Sequence, residues 1–331
     1  MVEKRKIIFR ADGSPTIGMG HFIRTLALAE MLKDDFYCIY ATQLPTAYQI
    51  REIENVCHER IDLPAYDSHF TFFLTLLHGD EIVVLDNYYF TTEYQKAIKE
   101  KGCMLVCIDD MHDKHFVADI IINHAEGIDS KDYSCEKYTS LLLGYQYALL
   151  RKEYLTEIAP QQPKLYSCLV MMGGADPDNI TTKITILLKD LNFSLPIAVV
   201  VGDSFVQDLQ LNQLKNICLF KGIPPAQIYQ IMQQSHFGIL PASTVAIEAC
   251  AARLPFICGY FIDNQKEIYW GLQKFELAVC VNSFHKINIK ILSSAHERVN
   301  STIISGTIRE NQVKRLDKKS KERFLETFHK L

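Results

Sequence analysis

Ile7-Ile8-Phe9-Arg10-Ala11-Asp12-Gly13-Ser14-Pro15-Thr16-Ile17-Gly18-Met19-Gly20-His21 reads as a strand, a turn and the opening of a helix. The apolar run 7–10 is followed by Ala11-Asp12-Gly13-Ser14-Pro15, a composition that suits only a loop. Beyond His21, apolar residues recur at Ile23, Leu26, Ala27 and Met31, the spacing of one helix face. A glycine-rich turn between strand and helix lets backbone approach a ligand closely, and the N–H groups at a helix start favour an anion. The dinucleotide fingerprint G-x-G-x-x-G is incomplete, because Ile23 stands at its third glycine position. An imidazole at that mouth titrates near neutrality and suits catalysis as well as binding. The plain alternative is a histidine that caps the helix or fills a half-buried position.

Working outward, the alternation continues. Strands are predicted at 36–42, 81–86, 104–109, 119–123 and 140–144, with helices between them, one at 93–101. The polar, proline-flanked stretch 159–164 reads as a linker, so a first domain is expected over 1–158. The pattern then restarts. A strand at 167–172 runs into Gly173-Gly174, a helix covers 177–190, and strands follow at 196–201, 216–221, 237–241 and 255–260. A second domain is expected over 164–281, and 282–331 reads as a helical tail without an assignable role. Apolar strands alternating with helices imply parallel sheets covered on both faces. The expected architecture is therefore α/β, with two Rossmann-like domains facing a cleft and ligands beyond the carboxyl ends of the strands.

Composition narrows the classes. Hydrophobic residues make up 48% and charged residues 22% of 331, the profile of a globular enzyme. A net charge of −4 offers no electrostatic footprint for nucleic acid or an anionic membrane. The start, Met1-Val2-Glu3-Lys4-Arg5-Lys6, leads into too short an apolar run for a signal peptide, and no run approaches the roughly 20 residues that span a bilayer. A cytoplasmic location, no membrane insertion, no nucleic-acid partner and a monomer or weak dimer are expected. The ten cysteines include no C-x-x-C pair and sit mostly in predicted strands, so they read as core thiols in a reducing compartment rather than as zinc ligands.

Other candidate residues lie at strand ends. Ser243-Thr244-Val245-Ala246-Ile247-Glu248 opens a helix that can receive a pyrophosphate, with Glu248 about one turn on, where a carboxylate can accept from a ribose diol. Gly173-Gly174-Ala175-Asp176-Pro177-Asp178 combines close backbone approach with a D-x-D spacing. Pro177 at a first helical position makes Asp176 a cap rather than a metal ligand. Asp109-Asp110-Met111-His112-Asp113-Lys114-His115 lacks a helical histidine pair and reads as a solvated loop with Asp109 or Asp110 facing the cleft. Asp86-Asn87-Tyr88 is either substrate-facing or a turn, and Asn264-Gln265 either orients a sugar or caps a helix.

In chain order, Arg10-Ala11-Asp12 with Ile17-Gly18-Met19-Gly20-His21-Phe22-Ile23-Arg24, Asp86-Asn87-Tyr88, Asp109-Asp110 and Ala148-Leu149-Leu150-Arg151 resemble one family. Met172-Gly173-Gly174-Ala175-Asp176, Ala242-Ser243-Thr244-Val245-Ala246-Ile247-Glu248-Ala249 and Asn264-Gln265 complete the set. The family is the UDP-2,4-diacetamido-2,4,6-trideoxy-β-L-altropyranose hydrolases of pseudaminic acid biosynthesis. The resemblance implies a glycosyltransferase-B-like fold, similar to the transferase that adds N-acetylglucosamine in peptidoglycan synthesis. UDP would sit on the second domain and the catalytic histidine on the first. Carried over, His21 is the general base that activates water and Asn264 lines the active site. Glu248 would hold the ribose, while Gly173, Gly174 and the Ser243, Thr244 and Val245 backbones would face the diphosphate. Gly222-Ile223 would contact uracil. Arg10, Asp12, Gly18, Gly20, Asp86, Tyr88, Asp109 and Gln265 are the expected substrate-binding residues.

The chemistry implied is a single displacement. Water attacks the anomeric carbon opposite UDP, which leaves readily when N–H donors stabilise its charge, so inversion is expected and neither a metal nor another cofactor is needed. A UDP-sugar-dependent transferase is the alternative, kept open by the apolar run 70–77, and a hydrolysing UDP-sugar epimerase is a third. A non-catalytic nucleotide-sugar binding protein would not need the imidazole.

Overall fold

The computed structural model describes residues 4–14, 17–156, 162–174, 176, 178–191, 193–202, 205, 211 and 214–331. The chain divides into two units, one built from 1–152 with 319–331 and the other from 153–318. In the first unit β1 (Lys6–Ala11), α1 (Gly20–Leu32), β2 (Tyr37–Gln43), α2 (Ala47–Val56), β3 (Glu59–Leu63), α3 (Ser68–Thr75) and β4 (Ile82–Asp86) follow in turn. They are continued by α4 (Thr92–Glu100), β5 (Met104–Ile108), β6 (His115–Phe116), β7 (Ile120–Asn123), β8 (Ser134–Cys135) and β9 (Ser140–Leu143). Seven strands form one parallel sheet in the order β3-β2-β1-β4-β5-β7-β9, and β6 pairs with β8 apart from it. Every residue of β4 is buried, the expected result for a central parallel strand covered on both faces. β3 is the exception: Glu59, Arg60 and Asp62 keep an edge strand from pairing with another chain.

The short α5 (Lys152–Leu155) carries the division between units. The second unit holds β10 (Tyr166–Met171), α6 (Ile180–Leu188), β11 (Ile197–Val201), β12 (Ile217–Lys221), α7 (Pro225–Gln234) and β13 (Ser235–Pro241). It continues through α8 (Thr244–Ala251), β14 (Phe256–Tyr260), α9 (Lys266–Lys274), β15 (Val279–Ser283), α10 (Ile289–Asn300) and α11 (Thr302–Arg315). Its six strands are parallel in the order β12-β11-β10-β13-β14-β15. Both sheets are thus doubly wound, and the direction of winding reverses between β1 and β4 and again between β10 and β13.

The boundaries differ from the sequence reading. The first unit ends at Lys152 rather than 158, and residues from 282 onward do not form a separate tail. Leu292, Ala295, Val299 and Ile308 of α10 and α11 belong to the second unit's core. Gln312 is buried and donates from Nε2 to the carbonyls of Leu254 and Leu277, both at 3.1 Å. The remaining segment, α12 (Ser320–Phe328), packs in the first unit, where Arg323 donates to the Gln146 carbonyl at 3.0 Å. Phe324 and Phe328 are fully buried, against Tyr147 and Phe36. Sequence patterning misses this, because chain order says nothing of which sheet a helix returns to. Of the expected linker, 159–161 lies outside the described residues, as does Pro177; the helix read from 177 begins at Ile180.

Phe328→Ala should lower the stability of the first unit by about 3 kcal/mol, the usual cost of emptying a buried aromatic site. Urea unfolding followed on the two units separately checks this. A loss confined to the second unit would contradict the assignment of α12.

Candidate active site

The described residues of the loop after β1 are held at both of its ends. Gly18 carries φ +87, and its backbone N–H and carbonyl pair with Ser14 at 2.8 and 3.3 Å. A Cβ at Gly13 would meet Phe22 Cβ at 2.9 Å, so the chain passes α1 at a distance only glycine allows. Gln49, fully buried on α2, donates from Nε2 to the Gly13 carbonyl at 3.0 Å. A Cβ at Gly18 or Gly20 would meet nothing within 4 Å. The residue at the N-cap of α1, Met19, makes no side-chain cap to the N–H groups of the first turn.

His21, in that first turn, is buried, and its Nδ1 lies 2.7 Å from Asp86 Oδ1 at the end of β4. Asp86 is completely enclosed. Burial works against its charge, but the Arg24 guanidinium and the His21 bond outweigh that and hold its carboxyl well below the usual range. Arg24 Nη2 also stands 3.1 Å from Nδ1, but the Asp86 contact is the shorter and an ionised carboxylate can only accept, so the proton of the His21 ring is assigned to Nδ1. Nε2 then carries the lone pair, and it has no protein partner among the described residues. Arg24 donates from Nε to Asp86 Oδ2 at 2.7 Å, from Nη2 to Oδ1 at 2.6 Å and from Nη1 to Asp110 Oδ2 at 2.8 Å. The Thr25 hydroxyl adds a bond to Asp86 Oδ2 at 2.8 Å. The Tyr88 ring stands edge-on to His21, centroids 4.5 Å apart, and its hydroxyl donates to Asp110 Oδ2 at 3.3 Å.

Several expected substrate contacts turn inward instead. Asp86 gives both oxygens to His21, Arg24 and Thr25 and orients the histidine. Arg10 has no exposed surface and grips Asp12 with two bonds of 2.7 and 2.8 Å. Its Nη2 also reaches His69 Nδ1 at 3.0 Å. Asp12 further accepts from Tyr89, from the Thr42 hydroxyl at 2.9 Å and from the Gln43 N–H at 2.8 Å. Desolvation of Asp12 is outweighed by Arg10, which keeps it ionised. This pair braces the carboxyl ends of β1 and β2 and has little left to offer a ligand. Asp109 likewise faces its own turn, accepting from the N–H groups of His112 and Met111 at 2.8 and 3.1 Å and from the Tyr133 hydroxyl at 3.2 Å. Asp110, next in sequence, is the member of that pair that joins the His21 cluster.

Exposed apolar side chains stand at the same end of this sheet. Ile17, Leu44, Tyr66, Tyr88 and Met111 are exposed, and each stands on the loop that follows one of the strands β1 to β5. Leu44 and Tyr66 adopt left-handed φ of +41 and +63, costly for large side chains and held here by Gln43 Nε2, which donates to the carbonyls of Pro64 and Tyr66 at 2.8 and 3.2 Å. The apolar run 70–77 is divided: Phe70 packs on Tyr89, Phe90 and Tyr94, Phe73 and Leu77 are buried, and Phe72 is exposed.

In the second unit the loops after β10 and β13, between which the sheet reverses, carry Gly173-Gly174 and Ser243 to Val245, while Gly222-Ile223 follow the edge strand β12 and Asn264-Gln265 follow β14. Gly173, φ +93, follows β10, and a Cβ at Gly202 would meet the Gly174 carbonyl at 2.2 Å, so the β10 and β11 loops touch backbone to backbone. The Asp176 carboxylate accepts from the N–H groups of Ile180 and Thr181 at 2.9 and 2.7 Å, so it covers the start of a helix whose N-cap position is held by Asn179 and not, as read from sequence, by Asp176 itself. Ser243 precedes α8 in extended conformation and makes no side-chain cap, leaving Thr244 and Val245 in an uncapped first turn. Glu248, on the next turn, is buried. Gly222 takes φ +60 after β12, and Ile223 beside it is half-buried. Asn264 does not cap a helix; it lies inside the 3-10 turn Asp263–Gln265, and Gln265 accepts from the Phe261 N–H at 3.0 Å. Among the described residues no three His, Cys, Asp or Glu side chains gather as a metal site, and all ten cysteines are free thiols.

Two doubly wound parallel sheets, each with candidate residues in the loops at the carboxyl ends of its strands, are the make-up of the glycosyltransferase-B fold. MurG of Acinetobacter baumannii shares it with a TM-score of 0.63 over 99% of this chain and 100% of that one, at 12% identity. TcCGT1, solved in complex with UDP, shares it at a TM-score of 0.71, 12% identity and coverage of 99% and 100%. In sequence, the chain is 27% identical over 284 residues to the UDP-2,4-diacetamido-2,4,6-trideoxy-β-L-altropyranose hydrolase of Campylobacter jejuni, covering 81% of this chain and 96% of that protein. The resemblance drawn from the ordered motifs therefore extends over most of the chain. No family model matches it.

Proposed function

We propose that this protein hydrolyses a UDP-linked 2,4-diacetamido-2,4,6-trideoxyhexose at its anomeric carbon, releasing UDP and the free sugar with inversion, as a step of nonulosonic (pseudaminic) acid biosynthesis. The observation that carries the reading is the 2.7 Å bond from His21 Nδ1 to the buried Asp86 carboxylate, which leaves Nε2 as a base. A water held by Nε2 attacks C1, its proton passes to Nε2, and the C1–O bond to UDP breaks with the electron pair leaving on the diphosphate. The turn Gly173-Gly174 and the uncapped start of α8 at Ser243, Thr244 and Val245 offer N–H donors to that charge, Gly222-Ile223 a uracil contact, and Glu248 a ribose contact. Asn264 and Gln265 are assigned to the sugar. The exposed apolar side chains of Ile17, Leu44, Tyr66, Tyr88 and Met111 suit a sugar that carries methyl groups in place of hydroxyls. The 27% identity to the Campylobacter hydrolase supports the same substrate class.

Incubation with the UDP-diacetamido sugar in ¹⁸O-water, with and without chelator, tests the proposal. The expected products are UDP and a sugar labelled at C1, formed at the same rate with chelator present. Label in the phosphate would mean P–O cleavage and exclude this role for His21. Turnover only with an added acceptor would make the protein a transferase.

A further inference from the structure

Two groups around His21 have no part in the displacement. Asp110 Oδ2 is held by Arg24 Nη1 at 2.8 Å and by the Tyr88 hydroxyl at 3.3 Å, whereas its Oδ1 is buried without a partner among the described residues. His124, just after β7, is also buried. The Leu149 N–H donates to its Nδ1 at 3.3 Å, so its ring proton is on Nε2, likewise buried and unpartnered among the described residues. Burial, helped by the Arg24 charge, pushes the His124 imidazole down to about 3, so this ring stays neutral.

The buried charges can therefore be counted. Asp86 and Asp110 are two carboxylates, Arg24 is one cation, and His124 adds nothing. Arg24 alone would neutralise Asp86, and a proton on His21 would then create an uncompensated buried cation. With Asp110 present the cluster carries one net negative charge while His21 is neutral and none once His21 is protonated. Of the other polar groups near the cluster, Asp109 is the one that bears on the count, because burial and the neighbouring Asp110 charge raise its carboxyl. Thr25 and Tyr88 are uncharged donors, Asp109 is turned into its own loop, and Lys114 lies outside, donating to the Tyr88 carbonyl at 3.0 Å.

We infer that Asp110 is a positioning residue for the proposed reaction: acting through Arg24, it supplies the second negative charge that lets His21 hold the proton taken from water. The inference rests on the role proposed for His21, but its test does not require turnover. NMR titration of the His21 ring in the full chain is compared between wild type and Asp110→Asn, which keeps the shape and loses the charge. The His21 midpoint should fall by about one pH unit in the variant, and Asp110→Glu should restore it. His124 should give no titration shift in the neutral range in any of them. Asp110→Ser, smaller and also uncharged, carries the same expectation if the Asn variant does not fold. An unchanged midpoint in a folded uncharged variant overturns the inference. If hydrolysis is seen and the midpoint does not move, only Asp110 loses its role; if hydrolysis is never seen, the titration still decides the charge coupling. Where activity is measured, the acid limb of the kcat/KM profile should shift to lower pH with the midpoint.

Discussion

His21→Asn is expected to lower kcat by about a thousandfold while UDP still binds with wild-type affinity. Asn is small enough for the site and can donate to Asp86 as the imidazole does, so the buried bonds of Asp86 to Arg24 and Thr25 persist. What it lacks is the second ring nitrogen, whose lone pair would take the proton from the attacking water. General-base catalysis is typically worth about 10² to 10⁴ in rate, and a thousandfold is about 4 kcal/mol of barrier. UDP affinity should be unaffected, because every residue assigned to the nucleotide belongs to the other unit. Steady-state kinetics together with calorimetric titration of UDP measures both quantities on one preparation. Wild-type turnover in the variant would remove His21 from the chemistry. Loss of UDP binding along with turnover would mean a structural lesion.

Asp86→Asn should be the most destabilising of the polar changes, by about 4 kcal/mol at neutral pH. Arg24 is buried and directs both Nε and Nη2 to Asp86, and losing a carboxylate from a buried pair typically costs about 3 to 5 kcal/mol. The pH dependence has a definite sign. The folded-state carboxyl of Asp86 lies below the ordinary value of 3.8. Its contribution is therefore complete above that ordinary value and is lost as pH falls below it. The stability gap between wild type and variant, measured by urea unfolding, should be constant near neutrality and narrow as the medium is acidified below about 4. A gap that widened on acidification would contradict the ionised state assigned to Asp86. The variant should also turn over slowly, since an amide no longer fixes the Nδ1–H tautomer of His21.

The sequence was legible where apolar strands alternate with helices. Residues 82–86, all buried, announce a central parallel strand, and Gly18-Met19-Gly20-His21 announces the turn that follows β1. β3 was not legible, since Glu59, Arg60 and Asp62 give an edge strand the composition of a loop. Within the candidate site, the sequence proposed His21 from its place in the turn. Asp86 was proposed too, but as a substrate contact. Nothing in its neighbourhood announces that its partners lie more than sixty residues earlier on α1. A signal for Arg24 and Thr25 did exist. They fall three and four residues after His21, on one face of a helix that is otherwise apolar, and a buried polar face requires a partner. The choice between Asp109 and Asp110 could not be read at all. Adjacent residues at a strand end point in opposite directions, and only the turn of the loop decides which one meets Arg24.

The return of α12 to the first unit has a consequence for synthesis. On a ribosome, all of 153–318 is made before the helix that covers Phe36. The second unit therefore has every residue it needs while the first, begun earlier, still shows bare hydrocarbon where Phe324 and Phe328 will lodge. The unit that carries His21 thus depends on residues made on both sides of 153–318, and its last hydrophobic contact spans almost three hundred residues of chain.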